Sequence, residues 1–299
     1  MSRLRADLLL LACAAVWGFA FLFQKTAMEH IGPLLFVAAR SVLAIAILAP
    51  LALREWHAAG PDWNPKRLLI SSALAGLAFF GGALFQQIGI VTASVTNAGF
   101  LTSLYVVVTP FVVWVMHRRT PTAWVWVAVG LSAVGTWLLG GGTLSAFSQG
   151  DMLVAISAIF WAVYVVLVGV GSSEGMPSAF TALQFVVVGV LGALGTGWFE
   201  EVNAAGLWKA LPDLLFVGVL SSALMFTLFS AAMRSTQATE TAVIVSTESL
   251  FAALAAWLFL KERLPPLGWL GAVLLIVATL VVHMPQRSPK LVEGTKKGG

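Results

Sequence analysis

Hydrophobic residues run along this chain of 299 residues in long stretches, and most charged residues and prolines lie between them. Each stretch holds about 20 residues, and a helix of that length crosses about 30 Å of hydrocarbon. Residues 68–85 and 267–282 are apolar on every face, unlike the alternating strands of an outer-membrane barrel. The pattern therefore predicts an all-α integral membrane protein.

Ten transmembrane helices are predicted, bounded by the ends of the hydrophobic stretches. We place them at residues 6–24, 33–53, 68–90, 95–116, 121–139, 150–170, 177–199, 212–233, 238–260 and 266–284. The connections between them are mostly short, so the chain has no room for a soluble catalytic domain. Residues 287–299 are polar and are predicted to form a disordered cytoplasmic tail.

Basic residues are concentrated at alternate ends of the predicted helices, an excess that marks the cytoplasmic side. The richer ends hold Arg3, Arg5, Arg54, Lys66, Arg67, Arg118, Arg119, Arg234, Arg287, Lys290, Lys296 and Lys297. The poorer ends hold only Lys25, Lys209, Lys261 and Arg263. We therefore predict a multi-pass protein of the inner (plasma) membrane with both termini in the cytoplasm.

Composition excludes several other classes of function. Hydrophobic residues make up 59% of the chain and charged residues 10%, too few for a water-soluble surface. The net charge of +4 arises at helix ends, so no nucleic-acid partner is expected. No GxxxxGK[ST] loop occurs, and the run Gly140-Gly141-Gly142 lacks the lysine that binds ATP phosphates. Cys13 is the only cysteine, and the histidines show no catalytic or metal-binding spacing, so neither a cofactor nor an enzyme activity is predicted.

The second half of the chain repeats the first. At an offset of 144 the matches are Asp7 with Asp151, Trp17 with Trp161, Pro33 with Pro177 and Arg40 with Gln184, and at 143 they are Trp114 with Trp257 and Trp126 with Trp269. We predict one repeat at residues 1–145 and another at 146–286. Five helices is an odd number, so the second repeat enters the membrane from the opposite side. Inverted repeats around a central cavity are typical of transporters that work by alternating access.

Three stretches stand out as motifs. They are Ala14-Ala15-Val16-Trp17-Gly18, the run from Gln87-Ile88-Gly89-Ile90 to Leu104-Tyr105-Val106-Val107-Val108-Thr109-Pro110, and Thr247-Glu248-Ser249 with Lys261-Glu262-Arg263-Leu264. Together they resemble the drug/metabolite transporter superfamily in its ten-helix form with two EamA-type repeats. The resemblance covers residues 8–284 and is greatest to amino-acid exporters, including the aromatic amino-acid exporters of the YddG type. Two positions differ from the family: Ser249 replaces a usual proline, and Arg118-Arg119 stands where an acid is common.

Two charged residues fall inside the predicted helices. Arg40 lies seven residues beyond Pro33, about 10 Å along a helix, where a charge must face protein or water. It either binds a substrate carboxylate, holds a gate through a salt bridge, or contacts backbone carbonyls as a structural charge. Glu248 accepts a proton, binds a substrate amine, pairs with Arg40, or makes a structural hydrogen bond. Glu240 and Glu262 lie at helix ends and are predicted to be solvated.

Neutral polar and aromatic residues complete the predicted cavity. The candidates are Gln86, Asn97, Thr102, Tyr105, Gln184 and Ser246, together with Trp17, Trp161 and Tyr164. Thr102, Tyr105 and Thr109 share one helix face, which suits a water-filled path. Aromatic walls suit apolar or aromatic amino-acid side chains. The alternatives are helix-to-helix hydrogen bonds for the polar residues and packing for the tryptophans.

The sequence thus predicts a secondary transporter that exports amino acids, by facilitated diffusion or proton antiport. Its expected partners are a small-molecule substrate and the lipid bilayer, without ATP, and a monomer is the simplest assembly. The first alternative is the same fold with another cargo, such as a drug, an amine or a nucleotide sugar. The second alternative is a membrane enzyme or receptor.

Overall fold

The computed structural model describes residues 1–60, 63–118, 121–139, 148–263 and 266–282. Within these ranges the protein is helical and has no β-strand, so the all-α prediction is confirmed. Eight helices are long and apolar enough to cross a membrane, and two shorter helices are also apolar. The predicted tail at 287–299 and the glycine run at 140–142 lie outside the described residues.

These helices are numbered α1 to α10 in chain order. They are α1 Arg3–Ala27, α2 Pro33–Ala58, α3 Pro65–Ile90, α4 Val95–His117, α5 Ala123–Leu139, α6 Gln149–Glu174, α7 Pro177–Phe199, α8 Leu211–Met233, α9 Ala238–Leu260 and α10 Pro266–Val281. Their starts lie within a few residues of the predictions, whereas α1, α2 and α6 continue beyond their hydrophobic stretches. Hydrophobicity marks only the hydrocarbon layer, and a helix extends past that layer into the interface.

The helices begin at residues that suit an N-terminus. Proline occupies the first turn of α2, α3 and α7, where its missing N–H removes no helical bond. At the start of α4, the Ser94 hydroxyl accepts a hydrogen bond from the Asn97 backbone N–H at 3.1 Å. At the start of α6, Ser148 and Asp151 cap each other's backbone N–H in a capping box.

Helices α2 and α7 lie antiparallel and cap each other. At the C-terminal end of α2, the Glu55 carboxylate accepts hydrogen bonds from the backbone N–H groups of Ser178 and Ala179 at the start of α7 (3.2 and 2.8 Å). The Glu200 carboxylate, just after α7, accepts two from the first turn of α2, each 2.9 Å long. A carboxylate beside exposed N–H groups also balances the positive end of the helix dipole. Each helix therefore completes the other's first turn.

Three of the long helices are interrupted near their middles. Helix α4 breaks at Leu104, between Val95–Ser103 and Tyr105–His117, and α9 breaks between Ala238–Val245 and Glu248–Leu260. Helix α8 contains a π-helical stretch, Phe216–Met225. The breaks in α4 and α9 lie 143 residues apart, the offset found in the sequence. Arg118 and Lys261, at the ends of these helices, share this offset, and both adopt the left-handed conformation (φ 54° and 57°).

The bundle has two faces, distinguished by which helix ends they hold. We call the face with the starts of α1 and α9 the amino-terminal face and the other the opposite face. On the amino-terminal face, Arg3 Nη1 lies 2.8 Å from Glu240 Oε2, and Arg3 Nε lies 3.1 Å from Asp7 Oδ1. On the opposite face, Asn97 Nδ2 donates to Asp151 Oδ1 at 3.3 Å.

The prediction that Glu240 is solvated is therefore wrong. Its residue surface is only 3% exposed, and its carboxylate is ion-paired with Arg3. A helix start looks solvated in a linear sequence, but here it packs against the first turn of α1. Glu262 is partly exposed and accepts a hydrogen bond from the Thr96 hydroxyl at 2.6 Å.

Small residues let the helices approach closely, and large apolar residues face outward. Gly135 of α5 and Gly271 of α10 meet so tightly that a Cβ on either would strike the other's carbonyl oxygen. Many large side chains on the outside remain exposed, including Trp198 (83%) and Trp269 (68%). Such a continuous apolar exterior suits contact with lipid.

Candidate functional site

A cavity lies at the centre of the bundle, among residues of seven helices. Its lining includes these residues singled out from the sequence: Trp17, Arg40, Gln86, Thr102, Tyr105, Trp161, Tyr164 and Glu248. They come from α1, α2, α3, α4, α6 and α9. The fold therefore gathers residues from both repeats around one space.

Arg40 presents a cation to this cavity. Only 4% of the residue is exposed, its Nε donates to the Ser222 hydroxyl at 3.0 Å, and its Cζ lies 5.5 Å from the centre of the Phe79 ring. Within the described parts of the chain, Arg40 forms no ion pair, so the predicted alternative of pairing with Glu248 does not occur in this conformation. Its fork of N–H donors matches a carboxylate.

Glu248 presents a carboxyl group to the same cavity. It is 4% exposed and begins the second half of α9, where the Tyr105 and Ser103 hydroxyls lie beside it. Among the described residues, Glu248 Oε1 and Tyr105 Oη are buried without a hydrogen bond of standard geometry. The cavity thus contains one basic and one acidic side chain that do not neutralise each other.

Aromatic rings form much of the remaining wall. Trp17 packs against Phe226 with ring centroids 4.4 Å apart, and its Nε1 donates to the Ser221 carbonyl at 3.2 Å. The Tyr164 ring is stacked on Phe229 with an interplanar angle of 14°. The polar edges of these rings are largely satisfied by protein, so their faces offer an apolar surface to a ligand.

A chain of amides lies between α1, α3 and α6. Trp161 Nε1 donates to Gln86 Oε1 at 2.7 Å, and Gln86 Nε2 donates to Gln24 Oε1 at 3.3 Å. Gln24 lines the cavity, although the sequence interpretation placed it at the end of the first helix. An amide inside an apolar run was the available signal, because α1 continues for almost one more turn.

Three predicted site residues lie outside the cavity lining. Asn97 donates to Asp151, as described above, and the Ser246 hydroxyl donates to the Val243 carbonyl at 2.7 Å. Gln184 is fully buried behind the wall, where its Nε2 donates to the Tyr164 hydroxyl at 3.2 Å. Thr109, predicted to share the polar face, instead donates to the Tyr105 carbonyl.

The π-helical stretch of α8 supplies residues that sequence reasoning missed. Ser221 lines the cavity and Ser222 holds Arg40, while Phe226 and Phe229 follow in the next turns. In the sequence these residues lie in an ordinary apolar run. A π-helical turn rotates the side chains that follow it relative to their positions in an α-helix, and no local residue type predicts such a turn.

The chain matches a transporter family in sequence and a solved structure in fold. The model of the EamA-like transporter family matches residues 4–141 and again residues 148–284. An uncharacterized transporter of Archaeoglobus fulgidus is 29% identical over 287 residues, covering 95% of this chain and 87% of that protein. A solved crystal structure with 16% sequence identity has a TM-score of 0.75, covering 94% of this chain and 98% of that one, which concerns the fold alone.

Two relatives have named cargoes. The S-adenosylmethionine/S-adenosylhomocysteine transporter of Chlamydia trachomatis serovar L2 is 26% identical over 291 residues, covering 90% of this chain and 86% of that protein. The threonine/homoserine exporter RhtA of Escherichia coli K12 is 28% identical over 180 residues, covering 57% of this chain and 58% of that protein. Neither name concerns aromatic amino acids.

Proposed function

Since the chain belongs to the EamA-like transporter family, it is a multi-pass membrane transporter, and we propose that it exports amino acids with apolar or aromatic side chains. The observation behind this proposal is the central cavity, which contains aromatic walls and a guanidinium and a carboxyl group that form no ion pair with any described residue. Free amino acids carry the complementary groups: a carboxylate, an ammonium and a side chain. The named exporter RhtA adds support from a relative.

Alternating access between two inverted repeats is the proposed mechanism. The antiparallel pairing of α2 with α7 supports it, as do the breaks in α4 and α9 at an offset of 143. We propose that all ten apolar helices cross the membrane and that the repeats occupy residues 1–145 and 146–286. The distribution of basic residues supports cytoplasmic termini in the inner membrane.

S-adenosylmethionine is the second candidate cargo. It combines an amino-acid group with a sulfonium cation and an adenine ring, and the aromatic rings around Trp17 and Trp161 suit both of these features. The Chlamydia relative is named for this cargo. Both candidates share the α-amino-acid group, so the transport assay must separate them by the remainder of the molecule.

Counterflow in proteoliposomes tests the proposal. Vesicles loaded with unlabelled phenylalanine, leucine, threonine or S-adenosylmethionine are diluted into the matching labelled compound, and accumulation of label is measured. We expect saturable accumulation of phenylalanine and leucine. Arg40→Gln should lower the apparent affinity for them at least about tenfold, because a hydrogen bond to a charged group contributes about 1.5–3 kcal/mol.

Arg234→Gln is the matched control for that variant. Arg234 is exposed at the amino-terminal face, outside the cavity, so its substitution removes a positive charge without touching the site. Accumulation of S-adenosylmethionine without any amino acid would establish the second candidate. Exchange of an amine or a nucleotide sugar alone would refute both.

A further inference from the structure

The interruptions of α4 and α9 bring two equivalent residues together beside the cavity. Tyr105 begins the second half of α4, and Glu248 begins the second half of α9, 143 residues later. Their side chains are neighbours, with the Tyr105 hydroxyl next to the Glu248 carboxyl group. The same position of the two repeats therefore holds a neutral phenol in one and an acid in the other.

Three polar atoms here lack a hydrogen bond of standard geometry with any described residue. They are Thr102 Oγ1, Tyr105 Oη and Glu248 Oε1, all buried in residues that line the cavity. A buried polar atom without a partner is costly, by about 1–3 kcal/mol. Tyr105 and Glu248 lie beside each other, and Ser103 lies beside Glu248, so these groups have only weak contacts with protein, while the Thr102 hydroxyl has no partner among the described residues. This wall therefore retains acceptor capacity for a donor group from outside the chain.

We propose that Thr102, Tyr105 and Glu248 form a binding site for one primary ammonium group. This inference rests on the proposed export of amino acids: the substrate's ammonium occupies this site, and its carboxylate lies at Arg40 and Ser222. An ammonium has three N–H donors, and the Thr102 hydroxyl, the Tyr105 hydroxyl and the Glu248 carboxyl group offer acceptor oxygens on one wall of the cavity. The aromatic wall then receives the side chain.

The charges of the cavity decide which cation fits. Among the described residues that line the cavity, Glu248 is the only acid and Arg40 the only base. Because the equivalent position of the first repeat holds Tyr105 and not an acid, the site offers one negative charge and balances one positive charge. A diamine would leave its second ammonium against Arg40, so diamines should bind poorly and zwitterions well.

Three ligands with the same phenyl ring allow the binding of the ammonium and the binding of the carboxylate to be tested separately. Phenylalanine has both charges, 2-phenylethylamine has only the ammonium, and 3-phenylpropionate has only the carboxylate. Their binding to purified protein in detergent is measured by the ligand-induced shift in thermal stability, which requires no transport. Glu248→Gln should weaken the binding of 2-phenylethylamine at least about tenfold and should change the binding of 3-phenylpropionate by no more than about twofold. Arg40→Gln should do the reverse.

Two conservative variants test the supporting oxygens, with one matched control. Tyr105→Phe and Thr102→Val keep the packing, and each should weaken the binding of 2-phenylethylamine about three- to tenfold. Thr109→Val removes a buried hydroxyl of the same helix that bonds only to the Tyr105 carbonyl in the described structure, and it should change binding less than twofold. Equal losses for the amine and the acid in Glu248→Gln would overturn the ammonium site.

The outcomes distinguish this inference from the proposed function. If wild-type protein exchanges amino acids but Glu248→Gln binds 2-phenylethylamine normally, the ammonium site is wrong and amino-acid export stands. If no wild-type counterflow of any amino acid occurs, export is wrong whatever the amine binds. A third outcome is that NaCl raises the thermal stability of the wild-type protein more than choline chloride does, that Glu248→Gln abolishes this difference, and that 2-phenylethylamine does not compete. This result would assign the oxygens to a metal cation and overturn the inference.

Discussion

The two faces of the bundle join equivalent helices by different chemistry. On the amino-terminal face, Arg3 bridges Asp7 of α1 and Glu240 of α9. On the opposite face, the equivalent residues Asp151 and Asn97 join α6 to α4 through one hydrogen bond of 3.3 Å. The contact on the amino-terminal face uses three charged side chains, whereas the contact on the opposite face uses a carboxylate and a neutral amide.

The contact on the amino-terminal face therefore includes a cation, Arg3, whereas the contact between Asn97 and Asp151 includes none. Asp7 and Glu240 are 7% and 3% exposed, so their negative charges lie close together in a poorly solvated place. The Arg3 side chain is 39% exposed, and it therefore exchanges with water more readily than either acid. Under alternating access, release of Arg3 would favour opening of this face, whereas the Asn97–Asp151 contact on the opposite face contains no cation to release.

Removal of the cation should have the largest effect. Arg3→Gln removes a cation that contacts both Asp7 and Glu240, and loss of one partner from a buried ion pair costs about 2–5 kcal/mol. The partial exposure of Arg3 reduces this cost to roughly 2 kcal/mol, so the equilibrium constant for opening of the amino-terminal face should increase about 30-fold. The readout is the rate at which a thiol reagent labels Cys13, which is buried on α1 one turn from Trp17 towards this face.

Arg5→Gln removes an exposed charge from the same helix turn and should leave the labelling rate of Cys13 unchanged. The double variant Arg3→Gln/Glu240→Gln should return the rate towards the wild-type value, because it removes one of the repelling acids. A double variant that labels as fast as Arg3→Gln would show that charge repulsion does not drive the opening.

The Asn97–Asp151 hydrogen bond on the opposite face should respond less to substitution than the ion pairs of Arg3 do. Asn97→Ala removes one long hydrogen bond to a carboxylate, worth about 1 kcal/mol, so opening should rise about fivefold. Hydrogen exchange of the backbone around residues 148–154, measured by mass spectrometry, should increase accordingly. Exchange at the start of α9 serves as the internal reference and should not change. An effect larger than that of Arg3→Gln would reverse the comparison.

Salt should give the smallest effect, and only on one face. Raising the salt concentration from about 0.1 M to about 1 M shortens the screening length from about 10 Å to about 3 Å. This weakens the partly exposed pairs of Arg3, and Cys13 labelling should rise about twofold. Hydrogen exchange near Asp151 should stay constant. Equal responses on both faces would contradict the difference between the ion pairs of Arg3 and the Asn97–Asp151 hydrogen bond.

The residues that sequence reasoning placed best are those whose polarity conflicts with their position. Arg40 and Glu248 lie in apolar runs, and a charge in such a place must face a cavity or a partner, so their presence at the central space was predictable. The tryptophans at an offset of 144 were predictable for a similar reason, since the repeat places them at the same depth.

The remaining details depend on contacts between distant parts of the chain. Glu240 looked solvated because its partner Arg3 lies more than 200 residues away in the sequence. The π-helical stretch that aims Ser221 and Ser222 at the cavity has no local signal, and neither has the break at Leu104. In each case packing between the repeats, rather than the preference of a residue, decides the local structure.

The exchange of caps between α2 and α7 has a consequence for how the protein is made. Each half of the chain contains a helix whose first turn is finished only by a glutamate from the other half. Before Glu200 has been synthesised, the first turn of the second helix therefore has no carboxylate cap. A chain stopped after the fifth helix would keep this turn uncapped.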